Sequence, residues 1–166
     1  YEVMTMLSIR KLHAKSMVTL FCAFMLISAQ ASAEALKPFI LGDALPGDVK
    51  QVSELVKTKL TAQGFEVVGA YSPFAGAMVI CATNNELKMA AAKAFNGGFG
   101  AAQRVAVTDV KGKIQVSYVN PAYIGTAYGL GKLEGVSARM KAALGAVQPF
   151  GSENGIEEER LKPGQY

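Results

Sequence analysis

The sequence predicts an α+β domain in which an antiparallel sheet carries helices on one face. Runs of β-forming residues and amphipathic segments follow in the order β-α-β-β-α-β-β-α. The links over residues 72–76 and 111–112 are too short for parallel crossovers, which disfavours a doubly wound α/β sheet. Hydrophobic residues make up 51% of the 166 residues, which excludes a disordered or fibrous chain. The first six elements follow the split β-α-β pattern, so we expect a ferredoxin-like α/β sandwich with an extra C-terminal helix.

Residues 1–33 predict an export leader with a few residues upstream of it. A basic stretch over 10–15, an uncharged apolar run over 17–28 and an A-x-A site at 31–33 are the three parts of a secretory signal peptide. A spanning helix needs roughly 20 apolar residues, so an uncleaved anchor is the less favoured alternative. We expect cleavage after Ala33, a periplasmic or extracellular destination, and no stable membrane anchor afterwards.

Cleavage there changes the chemistry that the chain can offer. It removes His13 and Cys22, leaving no histidine and one cysteine, Cys81. This loss excludes Ser–His–Asp triads, Cys–His catalytic pairs, Cys/His zinc sites and C-x-x-C redox motifs. We therefore predict no cofactor and no metal. The remaining 14 basic and 12 acidic residues give a net charge of +2, which does not favour nucleic acid as a partner.

The first half of the mature chain reads as β-α-β-β. Residues 37–42 form a short strand that Pro38 restricts to a sheet edge or to the strand start. Asp48 caps a helix whose apolar residues recur at spacings of three and four, and Gly64 ends that helix. Two strands follow over 65–71 and 77–82, and the second is uniformly apolar, as in a buried central strand.

The second half reads as α-β-β-α. Thr83 and Glu86 predict a capping box at the start of a helix that the glycines of 96–100 end. Residues 103–110 and 113–119 predict a hairpin turning at Lys111-Gly112. Asn120-Pro121 breaks the last strand, and a third helix over 133–144 closes at Gly145. The predicted domain spans 34–150, and 151–166 is a polar, solvated tail.

Three motifs favour a structural interpretation over a functional one. Cys81 could be a reactive thiol, but a small buried hydrophobe is the favoured interpretation. Met78, Cys81, Met89 and Met140 could bind Cu(I), yet core methionines explain them more simply. Gly97-Gly98-x-Gly100 follows a helix and leads to a strand, which is the wrong context for a phosphate loop.

Two constellations are candidate functional sites. Glu66 and Asp109 lie on strands that could be neighbours, so they could act as an acid–base pair, although two solvent-facing positions are the favoured reading. Aromatic and amide side chains at strand ends and loops could converge on a ligand or partner, with packing at the core rim as the alternative. The members of this rim are Tyr71, Phe74, Tyr118, Asn120, Pro121, Tyr123 and Tyr128.

Short motifs resemble a known family. Gly64-Phe65-Glu66-Val67, Val105-Ala106-Val107 and Asn120-Pro121, within residues 37–130, are similar to the bacterial exported domain of unknown function 302 family. The resemblance implies a compact α/β sandwich without an established activity, and it carries over no catalytic residue. It adds Asn120-Pro121 to the rim of a site.

Two classes of function stay open. One is an exported, non-catalytic module that binds a small ligand or a protein partner, and the other is an enzyme that uses Glu66 or Asp109 with tyrosines. An enclosed pocket that contains a carboxylate would favour the enzyme, and a shallow apolar patch would favour the module. A sheet edge near Lys37 or Lys113 could also pair copies into a homo-oligomer.

Overall fold

The computed structural model describes residues 35–163, which belong to a single compact unit. These residues form one six-stranded sheet in which every neighbouring pair is antiparallel, together with four helices and two 3-10 turns. The predicted leader lies outside the described residues. The strands are β1 (Phe39–Leu41), β2 (Glu66–Tyr71), β3 (Ala77–Thr83), β4 (Gln103–Val110), β5 (Lys113–Val119) and β6 (Gln148–Phe150). The helices are α1 (Val49–Ala62), α2 (Asn85–Lys93), α3 (Pro121–Ala127) and α4 (Glu134–Leu144), and the 3-10 turns are Gly97–Gly100 and Glu158–Arg160.

The α+β class and the antiparallel sheet are confirmed, but the ferredoxin-like arrangement is not. The strand order is β2-β3-β4-β5-β1-β6. The ferredoxin-like pattern needs β1 directly beside β3, whereas here β1 pairs with β5 on one side and β6 on the other. The reason is that β4 pairs with β3, so the hairpins β2–β3 and β4–β5 lie side by side, β3 has no free edge, and β1 pairs with the outer edge of β5.

One predicted helix start is confirmed and another is wrong. The Asp48 side chain accepts from the Gln51 amide at 2.8 Å, and the Gln51 side chain accepts from the Asp48 amide at 3.1 Å, which together make a capping box. The second helix begins one residue later than the capping box over 83–86 predicts. Its cap is Asn84, which accepts from the Leu87 amide, while the Thr83 hydroxyl donates to the carbonyl oxygen of Ala101.

The predicted hairpin between β4 and β5 is confirmed, and its turn shows why the sequence specifies it. Lys111 (φ 55°) and Gly112 (φ 80°) both adopt the left-handed conformation that a two-residue turn requires. Asp109 accepts from the Gly112 amide at 2.7 Å, which fixes the turn. This hairpin positions the alternating residues of both strands on opposite faces of the sheet.

The helices α1, α2 and α4 pack on one face of the sheet. The residues that they cover on β3, β4 and β5 are almost completely buried, and they join the apolar residues of the three helices in one core. The sheet contributes Ile80, Ala82, Val105, Val107, Val116 and Tyr118 to this core.

Residues after 150 are attached to the domain more closely than a solvated tail would be. Ile156 exchanges two backbone hydrogen bonds with Leu36, and Leu161 is 1% exposed. Glu158 lies 3.9 Å from Lys132 in an exposed ion pair. Single apolar residues spaced by five in a charged segment give too weak a periodicity to predict this docking.

Candidate functional site

The face of the sheet opposite the helices carries a second set of side chains, which we call the open face. Successive side chains of a strand point to opposite faces, so burial of Val105 and Val107 under the helices directs Arg104 and Ala106 to the open face. Burial of Ile80 does the same for Val79 and Cys81, which are both half-buried. Each strand therefore divides its residues between the core and this face.

The strand register brings a row of open-face residues together across the sheet. Tyr71 lies opposite Val79, Val79 opposite Ala106, Ala106 opposite Ser117, and Ser117 opposite Leu41. Directly opposed residues share a face and lie about 5 Å apart. Small side chains at 106 and 117 thus lie between the larger ones at the two ends of the row.

These differences in side-chain size create a groove of ≈ 340 Å³, which we call the open-face groove. Tyr71, 56% exposed, stands at one end, and Phe39 stands at the other. The Phe39 and Phe150 ring centroids lie 5.6 Å apart, so an aromatic pair borders the β1–β6 side. The described lining is Phe39, Tyr71, Val79, Arg104, Ala106, Ser117, Tyr118 and Val119.

Arg104 is the one charged residue in this lining. It lies opposite Cys81 on β3, two residues from Ala106 on the same face, and its side chain is exposed. The three ion pairs that the described residues form do not include it. A guanidinium in such a setting offers paired donors to a carboxylate or phosphate.

The structure does not bring the seven predicted rim residues together. Tyr71 and Tyr118 both line the open-face groove, whereas Asn120 lines a separate groove of ≈ 240 Å³ beside Lys37 and Gln148. Tyr128 stacks on Phe99, with ring centroids 5.8 Å apart, in a third groove of ≈ 250 Å³. Phe74 is exposed in the β2–β3 loop, and Tyr123 is half-buried on α3.

Tyr118 has a structural position within this predicted rim. Its hydroxyl donates to the carbonyl oxygen of Gly145 at 2.9 Å, which links β5 to the end of α4. Burial, assisted by the negative charge of Asp43, raises the pKa of Tyr118 from 10.0 to about 12. The phenol therefore stays protonated and holds the helix end against the sheet.

Asn120 and Pro121, which the resemblance adds to a site rim, also organise the fold. They end β5 as predicted and begin α3, which the sequence interpretation missed. Asn120 caps the helix by accepting from the Ala122 amide at 3.1 Å and donates to the Lys37 carbonyl at 2.9 Å, while Pro121 takes the first helical turn. Both residues are buried.

The two carboxylates considered for catalysis are far apart. Glu66 lies opposite Thr83 at one end of β3, and Asp109 lies beyond the residue opposite Ala77 at the other end. Six residues of β3 separate these points, about 20 Å at the usual rise of a strand. Glu66 pairs with Lys88 at 2.7 Å in solvent, and Asp109 holds the hairpin turn. This geometry cannot form an acid–base pair.

The soft-metal grouping does not form either. Met140 is buried in the core, Met89 is largely exposed, and Met78 and Cys81 face opposite sides of β3. Within residues 35–163, no three Cys, His, Asp or Glu side chains cluster in a way that could hold a metal ion. The glycines of 97–100 form a 3-10 turn after α2, as the structural interpretation predicted.

Sequence reasoning missed most of the open-face groove. The sequence pattern did not single out Arg104, Ser117 fits the polar side of an alternating strand, and Phe39 entered only as part of the predicted strand over 37–42. A usable signal was present, because outward positions that hold valine, alanine and phenylalanine are unusually apolar for a solvated face. β6 was not predicted at all, so the aromatic pair with Phe150 could not be foreseen.

Comparison with known proteins adds no family. No protein-family model matches the chain, and no curated protein is similar enough in sequence to be reported as a relative. The resemblance to the domain of unknown function 302 family therefore stays a prediction. Within the described part of the chain, the helices are all too short or too polar to cross a membrane.

Proposed function

We propose that this chain is an exported, non-catalytic module that binds a small ligand in the open-face groove. The groove carries the proposal, since it is a largely apolar concavity on the sheet whose described lining holds one charged side chain, Arg104. Its ≈ 340 Å³ lies near the lower end of the range of roughly 300–1,000 Å³ that ligand sites occupy. The enzyme alternative, which uses Glu66 or Asp109 with tyrosines, gains no support from this groove, because Glu66 pairs with Lys88, Asp109 accepts from the Gly112 amide, and neither carboxylate lines it.

A panel of small lipophiles, tested by thermal shift on the purified protein, examines the binding function. A ligand that binds only the folded state raises the melting temperature, and the rise grows with the logarithm of its concentration once that concentration exceeds the Kd. Tyr71→Ala removes the aromatic end of the groove and should abolish the shift. Phe95→Ala is the matched control, because Phe95 is 93% exposed and borders the separate Tyr128 groove.

The outcomes separate the sites and the classes of function. A shift lost in Tyr71→Ala and kept in Phe95→Ala supports the open-face groove. The reverse pattern moves the site to the Tyr128 groove. If no compound of the panel binds, small-ligand binding is abandoned in favour of a protein partner, which includes a second copy of the chain, and sedimentation velocity tests that copy.

Export is a proposal that the leader pattern alone supports. Membership of the exported domain of unknown function 302 family is likewise a proposal, and it rests on the short motifs at 64–67, 105–107 and 120–121. Cleavage after Ala33 should yield a protein that begins at Glu34 in the periplasm or outside the cell. Intact mass spectrometry of the delivered protein tests this. A mass that still includes His13 would contradict it and would reopen the histidine chemistry that cleavage excludes.

A further inference from the structure

We propose that the ligand of the open-face groove is a small aromatic monocarboxylate, whose carboxylate pairs with Arg104 and whose ring lies along the sheet. This inference rests on the binding function proposed above and specifies its chemistry. It depends on the charge of the groove, on its apolar walls and on the position of its one cation.

The charge of the groove favours an anionic ligand. Arg104 brings a full positive charge to the lining, and the described lining residues include no carboxylate. The ion pairs of the described residues are Lys57–Glu54, Lys88–Glu66 and Lys132–Glu158, and none of these acids borders the groove. A neutral ligand that covered Arg104 would displace the water that solvates the guanidinium without supplying an anion to pair with it, which is unfavourable.

A single cation selects a single negative charge. The guanidinium presents parallel N–H donors that match the two oxygens of a carboxylate, and such bidentate pairs are stronger than neutral hydrogen bonds. A phosphate monoester carries up to two charges at neutral pH, and the lining offers only Ser117 besides Arg104 and the phenol of Tyr71 to meet its oxygens. The carboxylate is therefore the better match.

The walls specify the rest of the ligand. Val79 and Ala106 form an apolar floor, and Phe39 and Tyr71 stand at the two ends of the groove. A flat ring can cover the floor while its edges meet these aromatic side chains, an arrangement that adds favourable contacts to the area buried. An aromatic body with one carboxylate thus satisfies the floor, the ends and the cation together.

The test compares 2-naphthoate with 2-naphthamide, which have the same ring and differ in charge, by isothermal titration calorimetry. With the wild-type protein, the acid should bind about two- to fivefold more tightly than the amide, the range expected for an ion pair with a solvent-exposed guanidinium. Arg104→Met should remove that preference, and Arg104→Lys should keep only part of it. Lys113→Met, which removes an exposed cation from the next strand, is the matched control and should leave the preference intact.

Each outcome decides the inference. A preference for the acid that disappears in Arg104→Met and persists in Lys113→Met supports it. Equal binding of acid and amide to the wild-type protein overturns the carboxylate while leaving the binding function in place, since Tyr71→Ala would still weaken both. An acid preference that survives Arg104→Met overturns the role of Arg104. Absence of binding by both probes overturns the ligand class, and the lipophile panel then decides the binding function.

Discussion

The two faces of the sheet are made by the same strands, yet they differ in what they contribute. On the helix-covered face, Val105, Val107 and Val116 are almost fully buried and form the core. On the open face, Ala106 and Ser117 are half-buried and Arg104 is exposed. One face therefore holds the apolar core, and the described residues leave the other partly exposed. Changes on the two faces should separate stability from binding.

The largest expected effect is a difference in the free energy of unfolding between variants of two neighbouring residues of β3. Ile80 is 0% exposed in the core, and Val79 lies on the open face. Ile80→Ala removes buried methyl groups and leaves a cavity, so it should lower the free energy of unfolding by about 2–5 kcal/mol. Val79→Ala should cost less than about 1 kcal/mol, because its environment is already partly solvated. Urea unfolding followed by circular dichroism measures both.

Equal losses of unfolding free energy in Ile80→Ala and Val79→Ala would contradict the difference between the two faces. They would mean that another surface covers Val79 in solution, as a second copy of the chain would do. Sedimentation velocity on the same samples then shows whether the open face is occupied by self-association.

The second effect is a loss of about 3 kcal/mol in the free energy of unfolding at high pH, caused by titration of Tyr118 on the helix-covered side. Burial, with a smaller contribution from Asp43, raises its pKa to about 12 in the folded state against 10.0 for the ordinary phenol. Between these values the unfolded chain loses the proton and the folded chain keeps it. The stabilisation is therefore complete below pH 10 and is lost as the pH rises towards 12, by about 3 kcal/mol in all.

The comparison with Tyr118→Phe isolates this titration from that of the lysines. At pH 9 the variant should be about 1 kcal/mol less stable, because it lacks the hydrogen bond to Gly145. At pH 12 the wild-type protein should have lost this advantage and become the less stable of the two. Urea unfolding at both pH values measures the difference, and a constant difference would show that the phenol titrates normally in the fold.

The same contrast explains how much of the molecule could be predicted. Local signals were reliable: the Asp48 cap, the turn at Lys111-Gly112 and the end of α1 before Gly64 depend on neighbouring residues only. The position of β1 beside β5 depends on which of the two outer hairpin edges, β2 or β5, it pairs with, and no local pattern encodes that choice. β6 is short, contains Pro149 and has neighbours far away in the chain, so its strand signal was absent.

The candidate site was harder to predict than the fold because its residues come from separate strands. Tyr71 was identified, but Arg104 and Phe39 gain meaning only through the register that places them on one face. The predicted rim relied instead on residue type. It therefore gathered Tyr118 and Asn120, whose polar atoms already hold the helix ends and loops together.

The smallest expected effect is a gain in stability at Gln103, the exception to the apolar character of the helix-covered face. Gln103 is 0% exposed, and neither polar atom of its side chain has a hydrogen-bond partner among the described residues. An apolar side chain of similar length removes that cost, so Gln103→Met should raise the free energy of unfolding by about 1 kcal/mol. Gln115→Met, at an exposed position of β5, is the matched control and should change it by less than about 0.5 kcal/mol. A loss of stability in Gln103→Met would show that the amide is satisfied in solution, and the helix-covered face would then hold a polar network rather than a uniform apolar core.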